Sequence, residues 1–119
     1  MKSKMKFASK KRKGSMLQNF VRDKILKAFP HLKKKDVTTP SYGQTGSDII
    51  LSKVGRKLVG WNFEVKNQNK MKTIYDWLKQ SYRHCKGSKL SACVVMKMNS
   101  RSPIVVLDFD DFINLIKDK

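Results

Sequence analysis

The chain has 119 residues, with 27 Lys and Arg against 9 Asp and Glu, which gives a formal net charge of +18. That length fits one domain with a modest core, drawn from the 39% of residues that are hydrophobic. No apolar run approaches the roughly 20 residues that cross a bilayer, and no apolar stretch follows the basic N-terminus as a signal peptide requires.

Residues Met1 to Gly14 carry Lys2, Lys4, Lys6, Lys10, Lys11, Arg12 and Lys13 with no acid, and read as a flexible basic arm over 1–14. A single domain is expected over 15–119. From Ser15, an N-cap, Leu17, Phe20, Val21, Ile25 and Ala28 recur at helical spacing until Pro30 ends the run. Pro30 to Ser47 reads as a loop, and loops of that length tend to be functional. Two strand-like runs follow, 48–52 and 58–66, flanking a turn over Lys53 to Lys57 with Gly55 in it. Met71 to Cys85 predicts a second helix with Ile74, Trp77, Leu78 and Cys85 on one stripe, closed by Gly87. Strands are expected over 91–97 and 103–107, then a short helix over 109–117 capped by Asp108. The sum is an α/β domain around a central mixed sheet.

Two residue classes narrow the chemistry. Cys85 and Cys93 form no CxxC pair and have no His at ligand spacing, so they read as reduced, buried hydrophobes rather than zinc ligands. A reducing, cytoplasmic setting fits. Among the acids, Asp108, Asp110, Asp111 and Asp118 flank the last helix, and Asp23 can pair with a neighbouring Lys. Asp48 and Glu64, the only glutamate, are different, because each falls in a strand where acids are disfavoured. Alternation puts Trp61, Phe63 and Val65 on one face and Asn62, Glu64 and Lys66 on the other. With a turn near Gly55, position 48 falls opposite about 63 to 65. Two carboxylates converging beside a lysine make a divalent-metal site; an ordinary Glu-to-Lys ion pair on a surface hairpin is the equal alternative.

Asp48 followed by Glu64-Val-Lys66 resembles the PD-(D/E)XK nuclease signature. With Lys13-Gly-Ser-Met-Leu-Gln18, Ser41-Tyr-Gly-Gln-Thr-Gly-Ser-Asp-Ile49 and a helix holding Trp77 and Gln80, residues 12 to 113 resemble the small phage and archaeal-type Holliday junction resolvases. The resemblance implies a restriction-endonuclease-like central sheet flanked by helices. It also implies Mg²⁺ on Asp48 and Glu64, with Mn²⁺ as a substitute. Lys66 would orient the attacking water or stabilise the pentavalent phosphate. Gln18 stands where the archaeal enzymes carry a glutamate, so one ion is expected rather than two. Ser47 replaces the proline that often precedes the first acid. Ser41 corresponds to a serine near the scissile phosphate, or is a turn residue. Gln80 reaches the cleft or is simply exposed, and His31 and His84 read as surface residues.

Lys10, Lys11, Arg12, Lys13, Lys33, Lys34, Lys35, Lys53, Arg56, Lys57, Lys70, Lys72 and Arg101 are candidates for gripping the DNA backbone without reading bases, with Gln68 as a further phosphate contact. Branched DNA is the expected partner. A four-way junction takes two symmetric cuts, so a C₂ homodimer is expected, with the apolar strands or the last helix as its interface. The competing readings are another PD-(D/E)XK nuclease (nicking, repair or restriction-like) and a non-catalytic basic nucleic-acid-binding protein. If the chain is phage-encoded, the cytoplasm is the host's.

Overall fold

A computed structural model describes residues 2–41 and 46–117, with side chains from residue 14 onward. The chain divides into two compact units, Met1–Asn67 with Ile116–Lys119, and Gln68–Leu115. Both mix helix with a two-stranded antiparallel ladder, so the α/β class holds as two small sheets rather than one central sheet.

The first unit begins with α1 (Lys2–Ala28). Its start is a correction: the helix runs through the segment expected as an arm, and Ser15 does not cap it. Lys, Met and Ala are strong helix formers, which lets a run without tertiary signal continue the helix N-terminally. Val21 and Ile25 are buried, and the chain keeps one further helical bond, Phe29 N–H to the Ile25 carbonyl at 3.0 Å. Leu32 N–H then bonds the Phe29 carbonyl at 2.9 Å, turning both side chains back onto the core. Burying each is worth about 1.5–3 kcal/mol. Phe20, expected on the core stripe, is 48% exposed and lies under Lys24, whose Nζ sits 5.4 Å from the ring centroid.

The expected loop after α1 holds a 3₁₀ turn (Lys34–Asp36) and β1 (Val37–Thr38). Strand β2 (Ile50–Leu51) pairs antiparallel with β1, Val37 opposite Leu51 and Thr38 opposite Ile50. The ladder continues through Ser52 N–H to the Asp36 carbonyl, 2.9 Å. Here the hairpin expected between 48–52 and 58–66 is overturned. Residues Lys53–Val59 form a helix, α2, not a turn. The Ser52 hydroxyl caps it by accepting from Gly55 N–H at 3.0 Å, and Gly60, at φ +74°, ends it in the left-handed conformation. Gly55 serves packing instead of a turn: a Cβ there would lie 2.7 Å from the Asp36 carbonyl oxygen. Leu58 and Val59 therefore belong to α2, and residues 61–68 lie outside helix and ladder. The core of this unit is Val21, Ile25, Phe29, Leu32, Val37, Ile49 and Val59.

In the second unit the sequence is closer to the outcome. Helix α3 (Lys72–Cys85) buries Leu78, with Ile74 and Cys85 half-buried, while Trp77 is 45% exposed at the side of that stripe. Gly87, at φ +81°, follows it. Strands β3 (Cys93–Met96) and β4 (Ile104–Leu107) pair from Cys93 opposite Leu107 to Met96 opposite Ile104. Directly opposed residues share a face. Cys93, Val95 and Val105 line the more open one, so Cys93 is exposed and not the buried hydrophobe expected. Helix α4 (Phe109–Ile116) is capped as anticipated: the Asp108 carboxylate accepts from the N–H groups of Asp110, at 2.9 Å, and Asp111, at 3.4 Å. Tyr82 on α3 donates to Asp111 on α4 at 3.4 Å. Asp118 lies outside the described residues, and among those described no helix is long and apolar enough to cross a membrane.

Candidate functional site

Asp48 is half-buried just before β2, and two donors converge on its carboxylate. Val65 N–H donates to Oδ2 at 2.7 Å, and the Gln18 side-chain amide donates to Oδ1 at 3.3 Å. The first bond fixes Asp48 against the residue that separates Glu64 from Lys66. The second brings α1 to the same carboxylate from 30 positions away in sequence. Gln18 and Asp48 are thus bonded directly in the first unit, and the 64–66 segment is tied to Asp48 through the Val65 backbone, with Glu64 and Lys66 paired to each other. The route differs from the expected one. Helix α2 and its Gly60 cap return the chain, and no hairpin ladder joins the two segments.

The exposure of 62–66 still alternates: Asn62, Glu64 and Lys66 are exposed, Phe63 and Val65 half-buried. Glu64 and Lys66 consequently share a side, and the Lys66 ammonium sits 3.1 Å from Glu64 Oε1, with both side chains 65% exposed. An ion pair that exposed contributes about 0–1 kcal/mol, too little to lock either group. Both remain available to a ligand. The acceptors here are carboxylate oxygens, and among the described residues no group of three or more His, Cys, Asp or Glu side chains comes together. A nitrogen- or sulfur-rich metal centre does not fit this donor set. Carboxylate oxygens in general suit a hard cation that keeps several of its waters.

The same unit holds a clamp that sequence patterning does not show. Asp36 is the one buried charged residue among those described. Its Oδ2 accepts from Lys33 N–H at 2.8 Å, and its Oδ1 from the Ser52 hydroxyl at 2.7 Å. The backbone donor of Lys33, then the Ser52 hydroxyl, hold the Asp36 carboxyl below its ordinary value; burial opposes them, and Lys35 and Lys33 add charge in their favour. This clamp ties the end of β2 to the 3₁₀ turn and so fixes the segment carrying Asp48. The available signal was Ser52 and Gly60 bracketing a seven-residue helix. For Asp36 no periodicity gave one.

The other residues fall as follows. Ser41 is exposed, next to 42–45, which with Tyr42 and Gly43 lie outside the described residues. Gln80 belongs to the second unit, exposed on α3. Lys33, Lys34, Lys35, Lys53, Arg56, Lys57, Gln68, Lys70, Lys72 and Arg101 are exposed, with Lys72 paired to Asp76 at 2.9 Å. The side chains of Lys10, Lys11, Arg12 and Lys13 lie outside the described set. His31 and His84 are exposed. Asp23 pairs with Arg22 at 2.9 Å.

Set beside known proteins, the cluster stands on its own geometry: no family model, no curated protein and no solved structure matches the chain.

Proposed function

We propose that this chain is a metal-dependent, structure-specific DNA endonuclease of PD-(D/E)XK type that cuts four-way junctions. The observation that carries the reading is the Asp48 carboxylate held between the Gln18 amide and the N–H of Val65, the residue between Glu64 and Lys66 in the chain.

Asp48 and Glu64 would hold Mg²⁺, or Mn²⁺ in its place. Bound there, the ion supplies a water of lowered pKa and neutralises charge on the phosphoryl oxygens. The protein's own groups do the rest. Val65 N–H and the Gln18 amide fix the rotamer of Asp48, and Gln18, being neutral, adds no charge, which favours one ion. Lys66 leaves its weak pair with Glu64 to face the phosphate, orienting the attacking water and stabilising the extra negative charge on five-coordinate phosphorus. In-line attack forms the new P–O bond and breaks the bond to O3′, leaving a 5′-phosphate and a 3′-hydroxyl. Lys33 to Lys35, Arg56 and Lys57 grip phosphates on either side.

Two further expectations belong to this reading. A restriction-endonuclease-like central sheet would use 61–66 as a strand, which the alternating exposure of Asn62 to Lys66 supports. Amide exchange protection at Phe63 and Val65 in the DNA complex tests it. The second is a C₂ homodimer, since a junction presents two equivalent cut positions. The open face of Cys93, Val95 and Val105 suits a second copy because it is uncharged in a chain of net charge +18.

The exposed Glu64–Lys66 pair is the observation that favours a binding-only protein instead. A panel of junction, flap, fork and linear duplex, each with Mg²⁺ and with EDTA, separates the readings. Metal-dependent cutting confined to the junction is expected. Equal cutting of duplex points to a different nuclease of the same type, and no cutting of any substrate to a binder.

A further inference from the structure

Adjoining Asp48 in the chain is a cavity of about 530 Å³ that the proposed hydrolysis uses only through Arg56. It is lined by Ser47, Ile49–Leu51, Arg56, Gly60, Trp61 and Asn62. The local sequence builds it. Gly60 N–H bonds the Arg56 carbonyl at 3.0 Å, and the left-handed turn at Gly60 swings Trp61 and Asn62 back beside β2. Among the described residues β2 has a ladder partner on one side only, β1.

The lining combines an aromatic surface, a fixed cation and small hydrogen-bonding groups. Trp61 is 53% exposed despite its size, and an indole face is a stacking platform for any nucleobase. The Asn62 amide and Ser47 hydroxyl both donate and accept, which matches the mixed edge of a base. Arg56, exposed on α2, has the planar fork that suits phosphate oxygens. A volume of this size falls within the range of sites for single small ligands. Ser47 and Ile49 flank Asp48 directly. Asn62 precedes Glu64 by two residues, at most about 7 Å of chain.

We propose that this cavity is a subsite for one unpaired nucleobase, stacked on Trp61 with its flanking phosphate on Arg56, immediately beside the scissile phosphate. The proposal rests on the nuclease reading for what the subsite serves, namely selecting strands whose bases are unstacked at a branch. Duplex DNA keeps its bases paired and cannot fill the pocket. The preference for branched substrate thus has a local cause besides overall shape.

The test is direct binding in EDTA, by fluorescence anisotropy, of an eight-nucleotide oligothymidylate and of an abasic oligomer of the same length. The two carry the same phosphates and differ only in bases. Wild type should bind the thymidylate about 10-fold more tightly. Trp61→Ala should remove that difference while leaving abasic affinity unchanged, and Trp61→Phe should keep most of it. Arg56→Ala should weaken both ligands equally and make the salt slope shallower by about one. Equal wild-type binding of the two ligands overturns the proposal, as does a preference that survives Trp61→Ala. No cleavage is read here, so a protein that shows the preference but cuts no junction removes the nuclease reading and keeps the subsite. One that cuts junctions without the preference removes the subsite alone.

Discussion

Asp48 and Asp36 are both acids near strands, and their surroundings assign them opposite work. Asp36 is buried, saturated by Lys33 N–H and the Ser52 hydroxyl, and has a lowered pKa. A lowered value means its contribution to stability is complete above the ordinary carboxylate pKa and is lost as pH falls through the folded value. Urea unfolding should therefore show native stability falling below about pH 4, and Asp36→Asn should lose most of that acid dependence. Asp48 is half-buried, with a short bond from Val65 N–H at 2.7 Å and a longer one from the Gln18 amide at 3.3 Å. Gln18→Glu would set a third carboxylate against it. Thermal unfolding of that variant should occur below wild type without metal and recover on adding Mg²⁺, because a cation neutralises the repulsion. Recovery equal to that of wild type would argue against ion binding at Asp48. Asp48 and Glu64 stand out in the sequence because acids are rare in this chain; the strand argument for them does not hold, since Asp48 precedes β2 and Glu64 lies outside helix and ladder. Asp36 was not legible, since nothing in its neighbours marks a burial that depends on Ser52, 16 residues away.

At the scale of elements, the misreading of 53–57 has a clear physical origin. Gly55 alone reads as a turn signal, whereas Ser52 as N-cap and Gly60 as C-cap together define a helix. Ser52→Ala removes the cap and one partner of Asp36, and should cost at least about 1 kcal/mol in chemical denaturation. Gly55→Ala forces a Cβ against the Asp36 carbonyl and should cost about 1–3 kcal/mol, although alanine favours helix elsewhere. A stabilised Gly55→Ala protein would contradict the close approach. In the second unit α3, β3, β4 and α4 all emerged near their expected bounds, because each couples a clean apolar period to a local terminator such as Gly87 or Asp108. In the first unit β2 falls within the strand expected over 48–52, whereas β1, two residues long, lies inside a stretch dominated by loop chemistry and carries too little pattern to be seen. Helix α2 with its Gly60 cap still returns the chain, so that Val65 N–H reaches Asp48.

For the whole molecule, the proposed partner class follows from a net charge of +18 and the proposed chemistry from the few acids. Deleting residues 1–11 removes Lys2, Lys4, Lys6, Lys10 and Lys11. Junction binding should weaken, with roughly one unit of salt slope lost for each phosphate contact removed. An unchanged slope would place those lysines away from DNA. Beyond electrostatics, Gln18 from α1, Asp48 from the β2 approach and Glu64 with Lys66 after α2 come from three separated stretches of sequence. That convergence is the central claim, and Mg²⁺-dependent cleavage of a synthetic four-way junction by wild type, Asp48→Asn and Glu64→Gln tests it most directly. The account predicts metal-dependent cutting by wild type and its loss in both variants, with junction affinity retained. Undiminished cutting by both variants would contradict it.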